Sequence, residues 1–244
     1  MPHRTLSLQE LSEYLHLKEE DILRLVKRRE IPHRQQGDQL VFPRIEIDRW
    51  ASQRLLGMDH DDVGDFHARS TAKVHDLSAR HALIPELMEL NSIDAHLDGK
   101  TRPKIIRNMV DLADRTGKVW DLDGLLKGVE EREELQSTAL AGGVALLHPP
   151  HHEPYMFEDS FIVLGRSLNP ILFGGPDGAP TQIFFLICSQ EDRIHLHLLA
   201  RISMICRRTE ALLRILDAED RGDIFDILVE SEREVIDKHS PIDP

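Results

Sequence analysis

The chain of 244 residues has a hydrophobic fraction of 41% and a formal net charge of −13. This length and composition suit one large domain or two modest domains with packed cores. No apolar run approaches the ~20 residues of a membrane-spanning helix, and no apolar signal region follows the N-terminus. We therefore expect a cytoplasmic protein that does not insert into a membrane.

The charge is divided unevenly along the chain. Residues 1–54 contain ten Lys or Arg and nine Asp or Glu, whereas the remainder contains twenty and thirty-four. A near-neutral head on an acidic body predicts two domains with different partners, and the acidic body does not attract nucleic acid. Cys188 and Cys206 lie in apolar surroundings and are predicted to be buried, reduced thiols. The residue spacings predict no metal site and no cofactor.

The first 56 residues contain three predicted helices and a hairpin. Ser7 and Glu10 form a predicted capping box at the start of the first helix, which has Leu8, Leu11 and Leu15 at helical spacing. The remaining elements are a second helix from about Glu19 that ends at Ile31-Pro32, a two-stranded wing at 33–42 with its turn at Gly37, and a third helix from Arg44 to Leu55.

This order of helix, turn, helix, wing and helix over residues 1–56 resembles the excisionase/MerR-like winged helix-turn-helix family. In that family the second helix enters the major groove of DNA. The resemblance implies that the head binds double-stranded DNA through Arg24, Lys27, Arg28, Arg34 and Arg44. Acidic residues at 19–21 occupy the first turn of that helix, where phosphate would bind, so a protein-docking module stays the alternative.

The rest of the chain divides into a linker, a body and a tail. Residues 57–71 are polar, lack an apolar period and are predicted to be the linker. The body, 72–230, opens with Leu77 and Leu83-Ile84-Pro85 and continues with Leu87, Leu90 and Ile93 at near-helical spacing, and a charged tail is predicted at 231–244. The other predicted elements are helices at 105–117, 122–132 and 194–208, strands at 160–165 and 182–188, and closing segments at 212–216 and 224–228.

The segment from Arg132 to His148 combines features of an anion site. It passes from a charged helix through a small-residue turn, 137–143, into a short apolar run that ends at His148. Paired glycines let the backbone approach a ligand, and exposed N–H groups beside Ser and Thr hydroxyls suit an anion. Because a neutral imidazole nitrogen is available near neutral pH, His148 is a candidate nucleophile toward phosphorus.

This segment resembles the phosphorylation-site segment of the type 2 enzyme IIA domain (fructose, mannitol and nitrogen-regulatory) of the phosphoenolpyruvate-dependent phosphotransferase system (PTS). The matching residues are Arg132-Glu133, Ser137-Thr138, Gly143-Val144-Ala145 and His148, whereas Gln136, Leu147 and Pro149-Pro150 depart from the pattern. The resemblance implies an α/β fold with a mixed sheet flanked by helices. It also implies that His148 is the phosphoacceptor, that Arg132, Ser137 and Thr138 offer donors to the phosphoryl oxygens, and that His195 faces the acceptor.

The two resemblances together imply a phosphorylation-responsive regulator. An HPr-like phosphocarrier protein would phosphorylate His148, and the head would bind DNA accordingly. Two alternatives stay open: a plain phosphotransfer component of sugar uptake, and an unphosphorylated scaffold that binds other regulatory proteins through the enzyme IIA surface. The sequence predicts no particular oligomeric state.

Overall fold

The computed structural model describes residues 5–15, 17–37, 39–57, 82–150, 155–190 and 192–238. Its helices are α1 (Leu8–Leu15), α2 (Glu19–Lys27), α3 (Arg44–Gly57), α4 (Ile84–Leu87), α5 (Arg102–Asp114), α6 (Leu122–Leu135), α7 (Asp192–Arg208), α8 (Ala211–Asp217) and α9 (Arg221–Lys238), with a 3-10 turn at Leu90–Ser92. Its strands are β1 (Thr5–Leu6), β2 (Arg34–Gln36), β3 (Gln39–Pro43), β4 (Ile93–Leu97), β5 (Ala139–Leu140), β6 (Val144–Leu147), β7 (Phe161–Ile171) and β8 (Thr181–Cys188).

The head, residues 5–57, contains α1 to α3 and a small antiparallel sheet. The Ser7 hydroxyl accepts from the Glu10 N–H at 3.2 Å, and the Glu10 carboxylate accepts from the Ser7 N–H at 2.7 Å, which confirms the capping box. Helix α2 ends earlier than predicted, because Arg29 adopts a left-handed conformation with φ of 58° and stops the helix. The wing forms from β2 and β3 as predicted, and β1 pairs with the other side of β3.

The body is built on a mixed sheet whose strand order, within the described residues, is β4-β7-β8-β6-β5. Strands β4 and β7 run parallel, as do β6 and β8, whereas the β7–β8 and β5–β6 pairs are antiparallel. This arrangement confirms the predicted α/β class with a mixed sheet flanked by helices. Strand β6, which leads to His148, lies inside the sheet rather than at its edge.

Alternate residues of the central strands enter two separate cores. In β8, Ile183 and Phe185 face a core shared with α7, α8, α9 and the head, whereas Phe184 and Leu186 face a core formed with α5 and α6. This follows from the alternation of side chains along a strand, and a strand buried on both faces has a continuous apolar sequence. Strand β6 alternates in the same way, so His148, the next residue, belongs to the side of α7 and the head.

Helix α7 lies between the sheet and the head. Residues 195–206 are all buried, as expected for a helix that is packed around its whole circumference. Its neighbours include β8, α8, α9 and α3 of the head. Arg201 of α7 forms a buried ion pair with Glu232 of α9 at 2.8 Å, and the same carboxylate accepts from the N–H groups of Leu83 and Ile84. These contacts fix α7 against the rest of the body.

Strands β4 and β7 differ from the sequence prediction. The near-helical spacing through Ile93 does not continue as a helix, because Ile93, Ala95 and Leu97 alternate inward as strand β4. Strand β7 extends to Ile171 instead of ending at Gly165, and it resumes its pairing with β8 after an irregularity.

The predicted tail also differs from the structure. Helix α9 continues through residue 231 to Lys238, because buried Glu232 and Val235 extend the face that packs on the body. The remainder of the tail, 239–244, lies outside the described residues, as does the predicted linker apart from Gly57. Cys188 and Cys206 are buried free thiols, as predicted.

Candidate functional site

His148 is the first residue after β6, and its side chain is only 2% exposed. Its Nδ1 atom lies 2.9 Å from the carbonyl oxygen of Leu146. Because a carbonyl oxygen can only accept, Nδ1 carries the proton. The Nε2 atom accepts a hydrogen bond from Nε of Arg132 at 3.1 Å. The imidazole is therefore neutral, and its lone pair lies on Nε2, toward a guanidinium group.

Arg132 reaches this site from the last turn of α6 and is 2% exposed. Its Nη1 donates to the carbonyl oxygen of Gln136 at 2.9 Å. Its Nη2 is buried and has no hydrogen-bond partner among the described residues. Burial lowers the pKa of this guanidinium and Arg49 adds to the effect, whereas Glu133 opposes it. A buried cation with a spare donor suits an anion, since a charged hydrogen bond to an oxyanion would satisfy it.

His195 approaches His148 from α7. The two ring centroids are 4.7 Å apart, with the ring planes tilted by 50°. His197, on the same helix, is as buried as His195, at 2% exposure, but does not line the cavity beside His148. The structure therefore brings together His148, Arg132 and His195, three of the residues predicted from the sequence.

Ser137 and Thr138 brace the turn between α6 and β5, and neither lines the cavity at His148. The Ser137 hydroxyl donates to the carbonyl oxygen of Phe173 at 2.7 Å, and the Thr138 hydroxyl donates to the Glu133 carboxylate at 2.7 Å. Burial raises the pKa of Glu133, whereas the bonds from Thr138 and Ser137 and the charge of Arg102 lower it. In this arrangement both hydroxyls hold the turn that follows Arg132, instead of donating to a group on His148 as the resemblance implied.

The head contributes residues to the same cavity, and the sequence reasoning did not identify them. They are Tyr14 of α1 and Ile45, Asp48, Arg49 and Ser52 of α3. The Tyr14 hydroxyl donates to the Asp48 carboxylate at 2.7 Å, and burial, together with Asp48, raises the pKa of Tyr14. The cavity volume is about 10 Å³, which is close to the smallest that holds one water molecule.

The sequence of α3 contains a signal for this second face. Residues at positions 45, 48, 49 and 52 share one side of a helix, and all four line the cavity. Ile47 and Ala51 lie on another side and enter the core of the head. Such spacing indicates that these residues share one side of the helix, but it does not indicate which surface packs against that side. The sequence of α3 therefore could not predict contact with the histidine pair of the body.

The predicted DNA-contacting residues occupy different surroundings. Arg24, Lys27 and Arg28 are exposed and lie on one side of α2. Arg34 on β2 is exposed and pairs with an acidic side chain of α3 at 2.6 Å. Arg44, at the start of α3, is half-buried with its guanidinium carbon 6.0 Å from the centroid of an aromatic ring of α1. The first three thus form a solvent-facing set, whereas Arg44 lies next to the face that α3 presents to the body.

Comparison with known families assigns both parts of the chain. Residues 86–231 match the family model described as "Phosphoenolpyruvate-dependent sugar phosphotransferase system, EIIA 2". The chain belongs to this family. Residues 5–55 match a helix-turn-helix domain model. Both recognitions made from the sequence are therefore confirmed. Within the described part of the chain, none of the helices of this EIIA 2 family member has the length and apolarity needed to cross a membrane.

Individual relatives resemble the body. The chain is 29% identical over 147 residues to the PTS system fructose-specific EIIABC component of Bacillus subtilis, covering 59% of this chain and 23% of that protein. It is 28% identical over 134 residues to the PTS system fructose-specific EIIA component of Haloferax volcanii, covering 53% of this chain and 84% of that protein. The crystal structure of nitrogen regulatory protein IIA-Ntr from Neisseria meningitidis superposes with a TM-score of 0.53 at 21% identity, covering 60% of this chain and 99% of that one, which shows a shared fold.

Proposed function

We propose that this protein accepts a phosphoryl group on Nε2 of His148 from a phosphohistidine carrier protein of the HPr type. The observation that carries the proposal is the fixed ring of His148, whose Nδ1–H donates to Leu146 and whose Nε2 lone pair faces buried Arg132. Membership of the EIIA 2 family supports the same chemistry.

The transfer balances without a cofactor. The Nε2 lone pair forms a bond to phosphorus while the donor's phosphorus–nitrogen bond breaks, and that electron pair returns to the donor's ring nitrogen. The Nδ1 proton of His148 stays on its ring throughout, because the Leu146 carbonyl holds it. The phosphoryl group brings roughly −1.5 to −2 charges at neutral pH, which the site must stabilise.

Arg132 has the donors for that charge. Its Nε–H, which now donates to Nε2 of His148, would turn to a phosphoryl oxygen once Nε2 is bonded to phosphorus. Its buried Nη2, which lacks a hydrogen-bond partner among the described residues, supplies further donors. Hydrogen bonds between a guanidinium and a phosphoryl group are short and strong. His195, with its ring beside His148, is proposed as a second donor, and Ser137 and Thr138 as residues that position Arg132 through the turn.

The head extends the proposal to regulation. The helix-turn-helix match and the exposed cations of α2 support binding of double-stranded DNA that responds to the phosphorylation state of His148. Equal affinities of the full chain for DNA, with and without phosphate on His148, would separate the two activities. The proposal includes a cytoplasmic location, because both buried cysteines are free thiols and thiols stay reduced there.

Incubation of the full chain with phosphoenolpyruvate, enzyme I and an HPr-type protein, followed by intact mass measurement, tests this function. We expect one acid-labile phosphoryl group on the unmodified sequence and none on His148→Ala. His96→Ala is the matched control, because His96 is an exposed histidine of β4 and its loss should leave labelling unchanged. Labelling of His148→Ala would move the acceptor elsewhere, and no labelling of either protein would favour the scaffold alternative.

A further inference from the structure

We propose that helix α3 of the head is a closed cap on the phosphorylation site, so that docking of the head and phosphoryl transfer to His148 exclude each other. This inference rests on the proposed function, since it concerns regulation of the same histidine. In the structure, α3 occupies the surface that a phosphocarrier protein must reach.

The first support is the geometry of α3. One face of this helix packs into the head, while Asp48, Arg49 and Ser52 line the cavity beside His148 and His195. Asp48 is 8% exposed and Ser52 is 4% exposed, and α3 packs on α7 of the body, so this polar face lies against the body. In an isolated head, this polar face would lie in solvent. In the full chain it is buried and covers the two histidines.

The second support is the space that remains. A cavity of about 10 Å³ holds at most one water molecule, whereas a phosphoryl group adds a phosphorus atom and three oxygens to Nε2. The imidazole of a donor protein must also approach the same nitrogen, yet His148 is 2% exposed. Neither the donor nor the product fits while α3 is docked. The head therefore has to move before transfer and stay displaced afterwards.

Charge alone would not decide the state of the cap. The cavity has the Asp48 carboxylate on one side, which would repel a phosphoryl group, and Arg49 and Arg132, which would attract it. These opposite contributions partly cancel, so it is the small volume of the cavity that excludes the phosphoryl group. The closed state is stabilised by the packing of α3 on α7, because opening would expose the apolar side of a helix that is buried all round. When only a fraction of the molecules is open, the apparent rate of phosphorylation equals the rate of the open form multiplied by that fraction.

Accessibility of the histidines tests the cap without using phosphoryl transfer. Ser52→Trp places an indole where the cavity has no room, and Gln53→Trp is the matched control, one residue further along α3 and half-exposed. We expect modification of His148 and His195 by diethyl pyrocarbonate, mapped by peptide mass, to be at least tenfold faster in Ser52→Trp than in the unmodified chain. Exposed His96 is the internal reference and should react equally in all three proteins.

Phosphorylation rates of the same full-length proteins complete the test. Ser52→Trp should be phosphorylated at least tenfold faster than the unmodified chain, which corresponds to a closed state favoured by ~1.4 kcal/mol or more, and Gln53→Trp should not. If Ser52→Trp does not fold by circular dichroism, Ser52→Arg opens the same contact through size and repulsion from Arg49 and Arg132, with Gln53→Arg as its control.

The outcomes separate the cap from the proposed function. The cap is overturned if His148 of the unmodified chain reacts as fast as His96, or if the Ser52 variant gains accessibility and both proteins are phosphorylated at the same measurable rate. If the histidines become accessible in the Ser52 variant but neither protein is phosphorylated at all, the proposed function is overturned, while the shielding of the site by α3 in the unmodified chain is supported. A gain in both measurements, absent from the Gln53 control, supports the cap.

Discussion

Helices α2 and α3 belong to the same small head but meet different surroundings. Helix α2 presents Arg24, Lys27 and Arg28 to solvent, whereas α3 places Asp48 and Ser52 against the histidine pair of the body. The difference shows that a helix-turn-helix domain can use one helix as an internal partner and leave the other available for an external one. Docking of α3 does not bury the α2 cations, so the contact controls access to His148 more directly than access to DNA.

The largest expected effect is at Arg132, in the site that α3 covers. Arg132→Lys keeps a charge but loses the fork of donors, and loss of a fixed donor to developing charge typically costs 10²–10³-fold in rate. We expect a loss of about 10²-fold in the rate of His148 phosphorylation, measured by quenched-flow labelling. Arg107→Lys, at an exposed position of α5, is the control, and equal rates for both variants would contradict a role of Arg132 in the site.

The next effect distinguishes two equally buried histidines of α7. His195→Ala removes a proposed donor beside His148, and a hydrogen bond to a charged group contributes about 1.5–3 kcal/mol. The transfer rate should therefore fall roughly tenfold to a hundredfold. His197→Ala creates a comparable change in the same buried helix and should lower the melting temperature with much less effect on the rate. Equal losses of rate would argue that the effect of His195 is structural.

A smaller effect is expected on the α2 side, in DNA binding by the full chain. If Arg24, Lys27 and Arg28 contact phosphates, each change to Ala should reduce the slope of log affinity against log salt by about 0.9. Arg44→Ala should reduce it less, because Arg44 is half-buried beside α1. Fluorescence anisotropy with a labelled duplex measures these slopes. An absence of salt-dependent binding to any duplex would make the head a docking module.

The smallest effect lies away from both helices, at Asp177. Its carboxylate accepts from the N–H groups of Gly142 and Ala179 at 2.9 and 3.1 Å, and these bonds lower its pKa. A depressed folded-state pKa stabilises the protein above the ordinary carboxyl value of 3.8, and that stability is lost as the pH falls through the folded value. Asp177→Asn should therefore lower the melting temperature slightly at pH 7. This difference in melting temperature from the unmodified chain should become smaller below pH 4.

A difference between the two proteins that is the same at every pH in thermal denaturation would contradict this account of Asp177. The transfer rate should be unaffected at pH 7, because Asp177 does not line the cavity.

The sequence predicted Arg132 and His148 from one continuous segment, and the family resemblance added His195 from a separate helix. Arg132 and His148 flank a recognisable motif, and the apolar run of β6 placed the histidine at a strand end. The hydroxyls of Ser137 and Thr138 were harder, because their acceptors, the Phe173 carbonyl and the Glu133 carboxylate, compete for them in the folded chain. No local sequence pattern reveals which side-chain hydroxyl will donate a hydrogen bond to a distant carbonyl oxygen.

The fold shows the same distinction between local and long-range information. Strand β4 was missed because Leu87, Leu90 and Ile93 happen to fit a helical spacing, although Ile93, Ala95 and Leu97 also alternate. Tertiary pairing with β7 decides between these two patterns. The docking of α3 on α7 depends on surfaces far apart in the chain, and only the structure brings them together.

The central claim is that Nε2 of His148 is the phosphoryl acceptor, with Nδ1 held protonated by Leu146. Long-range proton–nitrogen NMR spectra of the full chain with nitrogen-15-labelled histidines, recorded before and after incubation with the phosphoenolpyruvate relay, test it most directly. We expect the Nε2 signal of His148 to shift and to show coupling to phosphorus, while its Nδ1 keeps a proton. Phosphorus coupling to Nδ1 of His148, or to a nitrogen of His195, would contradict the account.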